Sequence, residues 1–457
     1  MRVAQRPSGR VLGLLMGTML AFARPTGAAE PVCLPENVAL AQPAAVETDG
    51  GGVGGNAVVY LDSSVSMQGF VRLDHGEQAL YVDTVLGLRQ VLEQVAGETA
   101  FNSFGTGIQP LNPTELIAPT RPEFYVCNQI NKSGCDTRLD MVLDAVAASD
   151  DNTLSIVATD LFLSDRDLVG STFGTMRNSL QRVMRGGKSI GVMAITAAFN
   201  GVVYDLPGKK TKYAFQGKRP FFLLIIGDDD RRILKVEKLV EKQLLTDVSP
   251  ERYRFALFTL HPAYPVTASA PLHLEPGSAI VRTERLPKGP SELPVLVLRK
   301  GADRLTSREP LAALQKPFTA PLGDFELSDS LWMYSDSPVC PTGTWLPWQQ
   351  RVVTAGADAG DLVVSLNPAA LRYLPARKFL LRAKISAAST SKSEQLTGWL
   401  HDWGFSSDQV DKVLKQKPDM FPVLNLGQLG DSLQSIIDDE FKPVTVADFL
   451  LAFRKDE

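Results

Sequence analysis

The sequence predicts an α/β fold for its first half: a doubly wound, mainly parallel sheet with helices on both faces, over about residues 56–247. Three observations lead to this prediction. Short apolar runs alternate there with segments whose apolar residues recur at helical spacing, as in the β-α units of a parallel sheet. Helical spacing disappears beyond about residue 250, where Pro and Gly separate short strand-like runs, and it returns after about residue 391. We therefore expect a β-sandwich at 248–390 and a helical segment at 391–457.

The α/β domain starts with an apolar strand at residues 57–61. A helix follows whose apolar residues, from Tyr81 to Val95, share one face. Residues 200–220 carry Gly, Pro, Lys and Tyr between two buried strands, and we expect them to form an inserted hairpin. The remaining predicted elements are strands at 99–104, 154–159, 189–196 and 221–226 and helices at 138–147, 173–184 and 231–245.

For the second half, an antiparallel β-sandwich of roughly 140 residues is the simplest architecture for short strands punctuated by Pro and Gly. Its strand-like runs lie at 255–260, 279–282, 294–298, 362–366 and 379–385. Three apolar stripes that follow predict helices facing the core. They consist of Leu396, Trp399, Leu400 and Trp403; of Leu426, Leu429, Leu433, Ile436 and Ile437; and of Val446, Phe449, Leu450 and Phe453.

Composition excludes several classes of protein. Of the 457 residues, 44% are hydrophobic and 21% are charged, which excludes a disordered chain, a collagen-like chain and a disulfide-dense miniprotein. The 47 Lys and Arg residues against 51 Asp and Glu residues give a formal net charge of −4. We therefore expect no nucleic-acid partner, because no basic excess is present.

The N-terminus predicts export. Arginines precede an uncharged apolar run at residues 11–23, and small residues follow it, as in a secretory signal peptide. We expect cleavage at the end of residues 1–29, or alternatively after Ala23, and hence a secreted protein in the periplasm or outside the cell. An uncleaved membrane anchor is disfavoured because the run is shorter than the roughly 20 residues that span a bilayer. No later segment is long enough to span either.

Residues 30–55 are rich in Pro, Ala and Gly and predict a flexible linker. Their end, residues 50–55, resembles a phosphate-binding loop in its glycines. It precedes its strand and lacks the lysine of such a loop, so the linker interpretation is favoured.

Four cysteines in an exported chain predict two disulfides. Cys127 and Cys135 lie eight positions apart across a polar loop and are natural partners, which leaves Cys33 for Cys340. The other two connectivities remain open. A zinc site is disfavoured, since the chain has no C-x2-C spacing and only four histidines.

A D-x-S-x-S pattern carries the chemistry of this sequence. It runs from Asp62 through Ser64 to Ser66, directly after the first predicted strand. Carboxylate and hydroxyl oxygens suit Mg²⁺ or Mn²⁺, and ligands of α/β folds bind at the carboxyl ends of parallel strands. A helix N-cap also uses Asp or Ser, so the pattern alone does not distinguish the two.

In its wider context the chain resembles the von Willebrand factor A domain, over about residues 56–247. The metal-ion-dependent adhesion site of that family combines D-x-S-x-S with a Thr and an Asp from two later loops. Here Thr137 opens a predicted helix and Asp160 ends a predicted strand. The second half of the chain has no such resemblance.

The resemblance implies a role for each of these residues. Ser64 and Ser66 would bind Mg²⁺ or Mn²⁺ directly, whereas Asp62 and Asp160 would hold the ion largely through water. Thr137 would bind it directly or through water. The cation would then keep one position that favours a carboxylate of a partner.

Two departures from the family pattern concern the loops around this site. Cys135 and Asp136 precede Thr137 where small glycines are usual, and Leu161 follows Asp160 where Gly is common. They put the loop geometry in doubt more than metal binding. Further acids that we consider for the same face are Asp165, Asp167 and Asp228.

We expect a non-enzymatic binding protein, of an adhesion or assembly type, that recognises an Asp or Glu carboxylate on a protein partner through a divalent metal. A metal-dependent phosphoryl or sulfuryl hydrolase is one alternative, but it normally needs two metals and further Asp or His ligands. A structural envelope component with a vestigial metal site is another. Metal-dependent partner capture distinguishes the first interpretation from the other two.

Overall fold

The computed structural model describes residues 54–73, 79–112, 115–127, 136–161, 171–204, 206–207, 212–260, 279–284, 293–298, 305–310, 325–335, 344–348, 353–358, 361–367, 378–387 and 394–455. The predicted signal peptide and most of the predicted linker lie outside these residues, as do Cys33, Cys135, Cys340, Asp165 and Asp167.

A seven-stranded sheet forms the centre of the first half. Its spatial order is β3-β2-β1-β4-β6-β5-β7. β1 pairs in parallel with β2 and β4, and the other pairs are antiparallel. The strands are β1 Asn56–Asp62, β2 Glu98–Phe104, β3 Ile108–Leu111, β4 Leu154–Thr159, β5 Ser189–Tyr204, β6 Lys212–Gly227 and β7 Tyr253–Phe258.

Helices cover both faces of this sheet. α1 Leu80–Leu92 and α4 Asp230–Leu244 pack with one side of the core. α2 Leu139–Ala147 and α3 Ser171–Arg185 pack with the other. The predicted α/β architecture is therefore confirmed, with β1, β2, β4 and β5 running in the same direction.

The connection between the last two buried strands differs from the expected parallel arrangement. β5 and β6 form one long antiparallel hairpin, paired from Ser189–Gly227 to Tyr204–Lys212, and β6 inserts between β4 and β5. The described part of 200–220 forms the distal halves of these two strands. The sequence does not predict these distal halves as continuations of the buried strands, because they contain polar and Gly residues and only the buried half of each strand is an apolar run.

The boundary predicted at residue 247 lies too early. β7 pairs with β5 and is an edge strand of the central sheet, although its sequence was assigned to the β-sandwich. Strand composition alone does not identify the sheet to which a strand belongs, because pairing partners are chosen by tertiary contacts.

Two further sheets follow, as the strand-like runs of the second half predict. A three-stranded sheet has the order β10-β14-β13, and a six-stranded sheet has the order β12-β11-β15-β18-β9-β8. Their arrangement as a β-sandwich stays a prediction. The strands are β8 Ala279–Glu284, β9 Leu293–Leu298, β10 Leu305–Pro310, β11 Phe325–Ser335, β12 Thr344–Trp348, β13 Val353–Asp358, β14 Asp361–Leu366, β15 Lys378–Ala387 and β18 Val444–Lys455.

The segment between β15 and β18 is helical, as predicted. It contains α5 Glu394–Asp402, α6 Val410–Gln416 and α7 Leu426–Glu440, with the short parallel strands β16 Gly404–Phe405 and β17 Val423–Leu424. The helix predicted from Val446 to Phe453 is wrong, because these residues lie in β18. Its apolar residues fit the spacing of a helix and that of a strand equally well. The segment forms a strand because it pairs with β15 on one side and with β9 on the other.

This helical segment is joined to the central sheet. Lys218 of β6 accepts a hydrogen bond from Phe421 N at 2.8 Å and donates one to Asp419 O at 3.1 Å. The Phe421 ring lies 5.2 Å from that of Phe215. Arg185 of α3 forms a 2.7 Å ion pair with Glu440 of α7. The helices therefore hold the hairpin beside the carboxyl end of β4.

None of the helices in the described part of the chain combines the length and apolar character that a bilayer crossing requires.

Candidate metal centre

The carboxyl ends of β1 and β4 bring two of the predicted ligands together. Asp62 is the last residue of β1, and Asp160 directly follows β4, its parallel neighbour. Both side chains are buried. The pairing explains why residues far apart in sequence meet at one edge of the sheet.

Asp62 is anchored through both carboxylate oxygens. Ser64 N donates to Oδ1 at 2.8 Å, and Thr159 Oγ1 donates to Oδ2 at 2.7 Å. Thr159 in turn accepts a hydrogen bond from Leu161 N at 3.3 Å. The carboxylate thus has a fixed orientation relative to the loop that follows it.

The two predicted serine ligands are adjacent. Ser64 Oγ and Ser66 Oγ lie 2.9 Å apart, at the start of the 3₁₀ helix Val65–Phe70. Ser64 is buried and Ser66 is half-buried. Ser63, which lies between Asp62 and Ser64, points elsewhere, because its hydroxyl donates to Phe104 O at 2.8 Å.

Thr137 lies on a loop that reaches the same end of the sheet. Its neighbour Arg138 donates from its main-chain N to Gly105 O at 2.9 Å, while Ser63 N donates to the preceding carbonyl, Phe104 O, at 2.8 Å. The end of β2 therefore connects the Thr137 loop to the D-x-S-x-S loop. Thr137 itself is half-buried, and its N donates to Asp136 Oδ1 at 3.0 Å.

Burial and mutual repulsion disfavour the simultaneous ionisation of Asp62 and Asp160 unless a cation lies nearby. Burial, and then the neighbouring charge of Asp160, raise the pKa of Asp62 to about 7, although hydrogen bonds from Ser64 and Thr159 oppose this. Two neighbouring buried carboxylates repel one another, so a nearby cation stabilises their charged forms.

One such cation was not among the predicted site residues. Arg219 of β6 is fully buried, and its Nη2 lies 3.4 Å from Asp160 Oδ2. Burial lowers the pKa of its guanidinium and Asp160 opposes this, but an arginine remains charged in proteins. The available signal was an Arg directly before the apolar residues of β6. It lies within residues 200–220, which the sequence predicts as an inserted hairpin.

Thr159 was also missed, although a hydroxyl in an otherwise apolar strand next to Asp160 was the available signal. Asp228 does not join the site. It follows β6 at the opposite edge of the sheet, where it accepts a hydrogen bond from Asn152 N at 2.9 Å. The expectation of a parallel strand put it at the wrong edge.

The donor set fits a hard divalent cation. Two neutral hydroxyls lie side by side next to an oriented, buried carboxylate, with a second carboxylate at the neighbouring strand end. In the described residues no group of three or more His, Cys, Asp or Glu side chains gathers at one point. A cation held here would therefore be bound largely by neutral oxygens.

Cys127 is disulfide-bonded. Its predicted partner, Cys135, lies outside the described residues, so this pairing stays a prediction.

Comparison of the chain with protein-family models, with curated proteins and with solved structures found no match.

Proposed function

We propose that this chain is a non-enzymatic binding protein that is exported to the periplasm or out of the cell. It recognises an acidic group on a protein partner through Mg²⁺ or Mn²⁺. The von Willebrand factor A-like interpretation of residues 56–247 is part of this proposal. One observation carries it: the Ser64 and Ser66 hydroxyls lie 2.9 Å apart beside the anchored carboxylate of Asp62.

Each residue has a definite role in this proposal. Ser64 and Ser66 would bind the ion directly, and Asp62 and Asp160 would orient its bound waters. Thr137 would close the site from the neighbouring loop. The bound ion would supply a coordination position for an oxygen anion, and neutral ligands leave it enough positive charge to prefer a carboxylate.

The residues around the site support binding over hydrolysis. Two-metal hydrolysis uses clusters of Asp and His side chains, and the described part of the chain gathers no three such side chains. The groups nearest Asp62 are hydroxyls that donate hydrogen bonds to it, which orients the carboxylate toward the loop.

Metal binding tests the first half of the proposal. Calorimetric titration with MnCl₂ should show one site in the wild-type chain and at least about tenfold weaker binding in Ser64→Ala, because a direct ligand is lost. Ser63→Ala is the matched control from the same loop. Its hydroxyl bonds to Phe104 O, so its loss should leave the Mn²⁺ affinity unchanged.

Partner capture tests the second half. The tagged chain, used as bait in the native compartment, should retain partners in Mg²⁺, release them in EDTA and recover them when Mg²⁺ is restored. Thr137→Ala should retain less partner without loss of folding. Partners that resist EDTA would support the structural alternative, and turnover of phosphate or sulfate esters that needs Ser64 would support the hydrolase.

A further inference from the structure

Arg219 is a buried cation that lies next to the candidate metal centre. Its side chain is 0% exposed and lies against two neighbouring rings, with its guanidinium carbon 4.6 Å from the Phe199 centroid and 5.9 Å from the Phe70 centroid. Its Nη2 contacts Asp160 Oδ2 at 3.4 Å. A buried charge of this kind is tolerated only with a partner charge.

The main chain keeps this cation in position. Lys218, the preceding residue, is bonded to Asp419 and Phe421 of the helical segment, and Arg219 pairs with Ala197 across the hairpin. Phe70 lies at the end of the 3₁₀ helix that carries Ser66. Main-chain pairing with β5, main-chain bonds to the helical segment and the ring of Phe70 thus surround Arg219 on three sides.

The charge balance depends on this residue. Ionised Asp62 and Asp160 contribute two negative charges and Arg219 one positive charge, so a divalent cation brings the site to a net charge of about +1. Without Arg219 the two carboxylates would neutralise the same cation. The charge of Arg219 therefore opposes binding of the metal, and the positive charge that remains once the metal is bound attracts an anionic ligand.

We propose that Arg219 is the specificity-determining residue of this site: it weakens metal binding and makes the loaded site select an anionic over a neutral oxygen ligand. This inference rests on the proposed function, since it concerns the same metal. Arg219 acts through the charge of the site, which it reaches through its contact with Asp160.

Arg219→Met tests the inference, because Met keeps an apolar side chain against the two rings and removes the charge. Mn²⁺ binding is measured by the relaxation of water protons, and sodium acetate then serves as the anionic probe that displaces bound water. We expect Mn²⁺ to bind at least about tenfold more tightly and acetate to act at least about tenfold more weakly.

Two controls isolate the buried charge. Lys218→Met removes a neighbouring positive charge whose side chain is exposed, so solvent screening should leave both affinities unchanged. Arg219→Lys keeps the charge and should resemble the wild type. If Arg219→Met does not fold, Arg219→Gln keeps a donor for Asp160 and carries the same expectation.

The outcomes separate this inference from the proposed function. Equal Mn²⁺ affinity in wild type and neutral variants would overturn the role of Arg219 and leave the metal site standing. Binding by the neutral variants alone would support Arg219 as the opposing charge and overturn metal-dependent binding by the natural chain. Absence of binding in every variant would overturn both.

Discussion

Leu161 shows how a single residue can hold a backbone that its side chain disfavours. It follows Asp160 with φ of 46°, in the left-handed region that glycine adopts at little cost. The departure from glycine noted in the sequence therefore falls at a position that requires this conformation. Leu161 is 1% exposed and lies in the core with α2 and α3, so packing compensates for the strained backbone.

We predict that Leu161→Gly destabilises the protein. Left-handed backbone costs a non-glycine residue about 1–2 kcal/mol, whereas loss of a buried leucine side chain costs about 2–5 kcal/mol. The free energy of unfolding, measured with urea, should fall by about 1–3 kcal/mol. Asn152→Gly is the control, because Asn152 has φ of 72° and is exposed. A Leu161→Gly variant as stable as wild type would show that the relief of strain fully offsets the loss of packing.

The sequence predicted Asp62, Ser64, Ser66 and Asp160 because each lies at, or directly after, a strand end that its apolar run defines. Arg219 was beyond such reasoning. Its contact with Asp160 depends on the antiparallel path of β6, and a charged residue in a strand is more often solvated than buried.

At the scale of elements, α4 has a stabilising N-cap and, in its interior, a half-buried carboxyl group that destabilises the helix when it is ionised. Asp229 caps it by accepting a hydrogen bond from Arg231 N at 3.0 Å, and Ile233 and Val236 pack against the sheet. Burial, and then the charge of Glu241, raise the pKa of Glu237 to about 7. The helix therefore carries a carboxyl group that favours its protonated form.

We predict that Glu237→Gln stabilises the protein more at pH 8 than at pH 5. A group whose folded pKa lies above its unfolded value stabilises the fold at low pH and loses that contribution as pH rises through the folded pKa, here about 7. The glutamine has no such loss. Melting temperatures at the two pH values check this, with Glu93→Gln, which is 61% exposed, as control. An equal shift at both pH values would contradict the assignment.

Element type was predictable where the period was unambiguous, as in β1 and α7. It failed at β18, where Phe449 and Phe453 satisfy a helical stripe and yet lie in a strand. Phe449 pairs with β15, and Phe453 pairs with both β15 and β9. Pairing direction failed at β5 and β6, since the sequence of a buried strand does not encode which neighbour it takes.

At the scale of the whole molecule, the helical segment and the central sheet share their core. Phe421 is 0% exposed, and its ring contacts those of Tyr213, Phe215 and Phe405. Since Phe405 belongs to the helical segment and the other two to the hairpin, this cluster joins the parts that flank the candidate site.

We predict that Phe421→Ala lowers the free energy of unfolding by about 3–5 kcal/mol, because a fully buried aromatic ring is removed. Hydrogen exchange should become faster in both residues 404–425 and residues 212–227. Leu86→Ala, at a side chain that is 49% exposed, should change stability by less than about 0.5 kcal/mol. Faster exchange confined to the helical segment would show that the two parts unfold independently.

The position of β18 in its sheet has a consequence for synthesis. It lies between β15 and β9 and so joins β12-β11-β15 to β9-β8, although it follows all of them along the chain. A nascent chain therefore carries two unpaired strand edges until β18 has been made, and such edges attract chaperones or aggregate. Limited proteolysis of ribosome-bound chains should cleave residues 279–387 when the chain stops at Phe441 and spare them when it extends through β18. Equal cleavage of both chains would show that the sheet closes without its central strand.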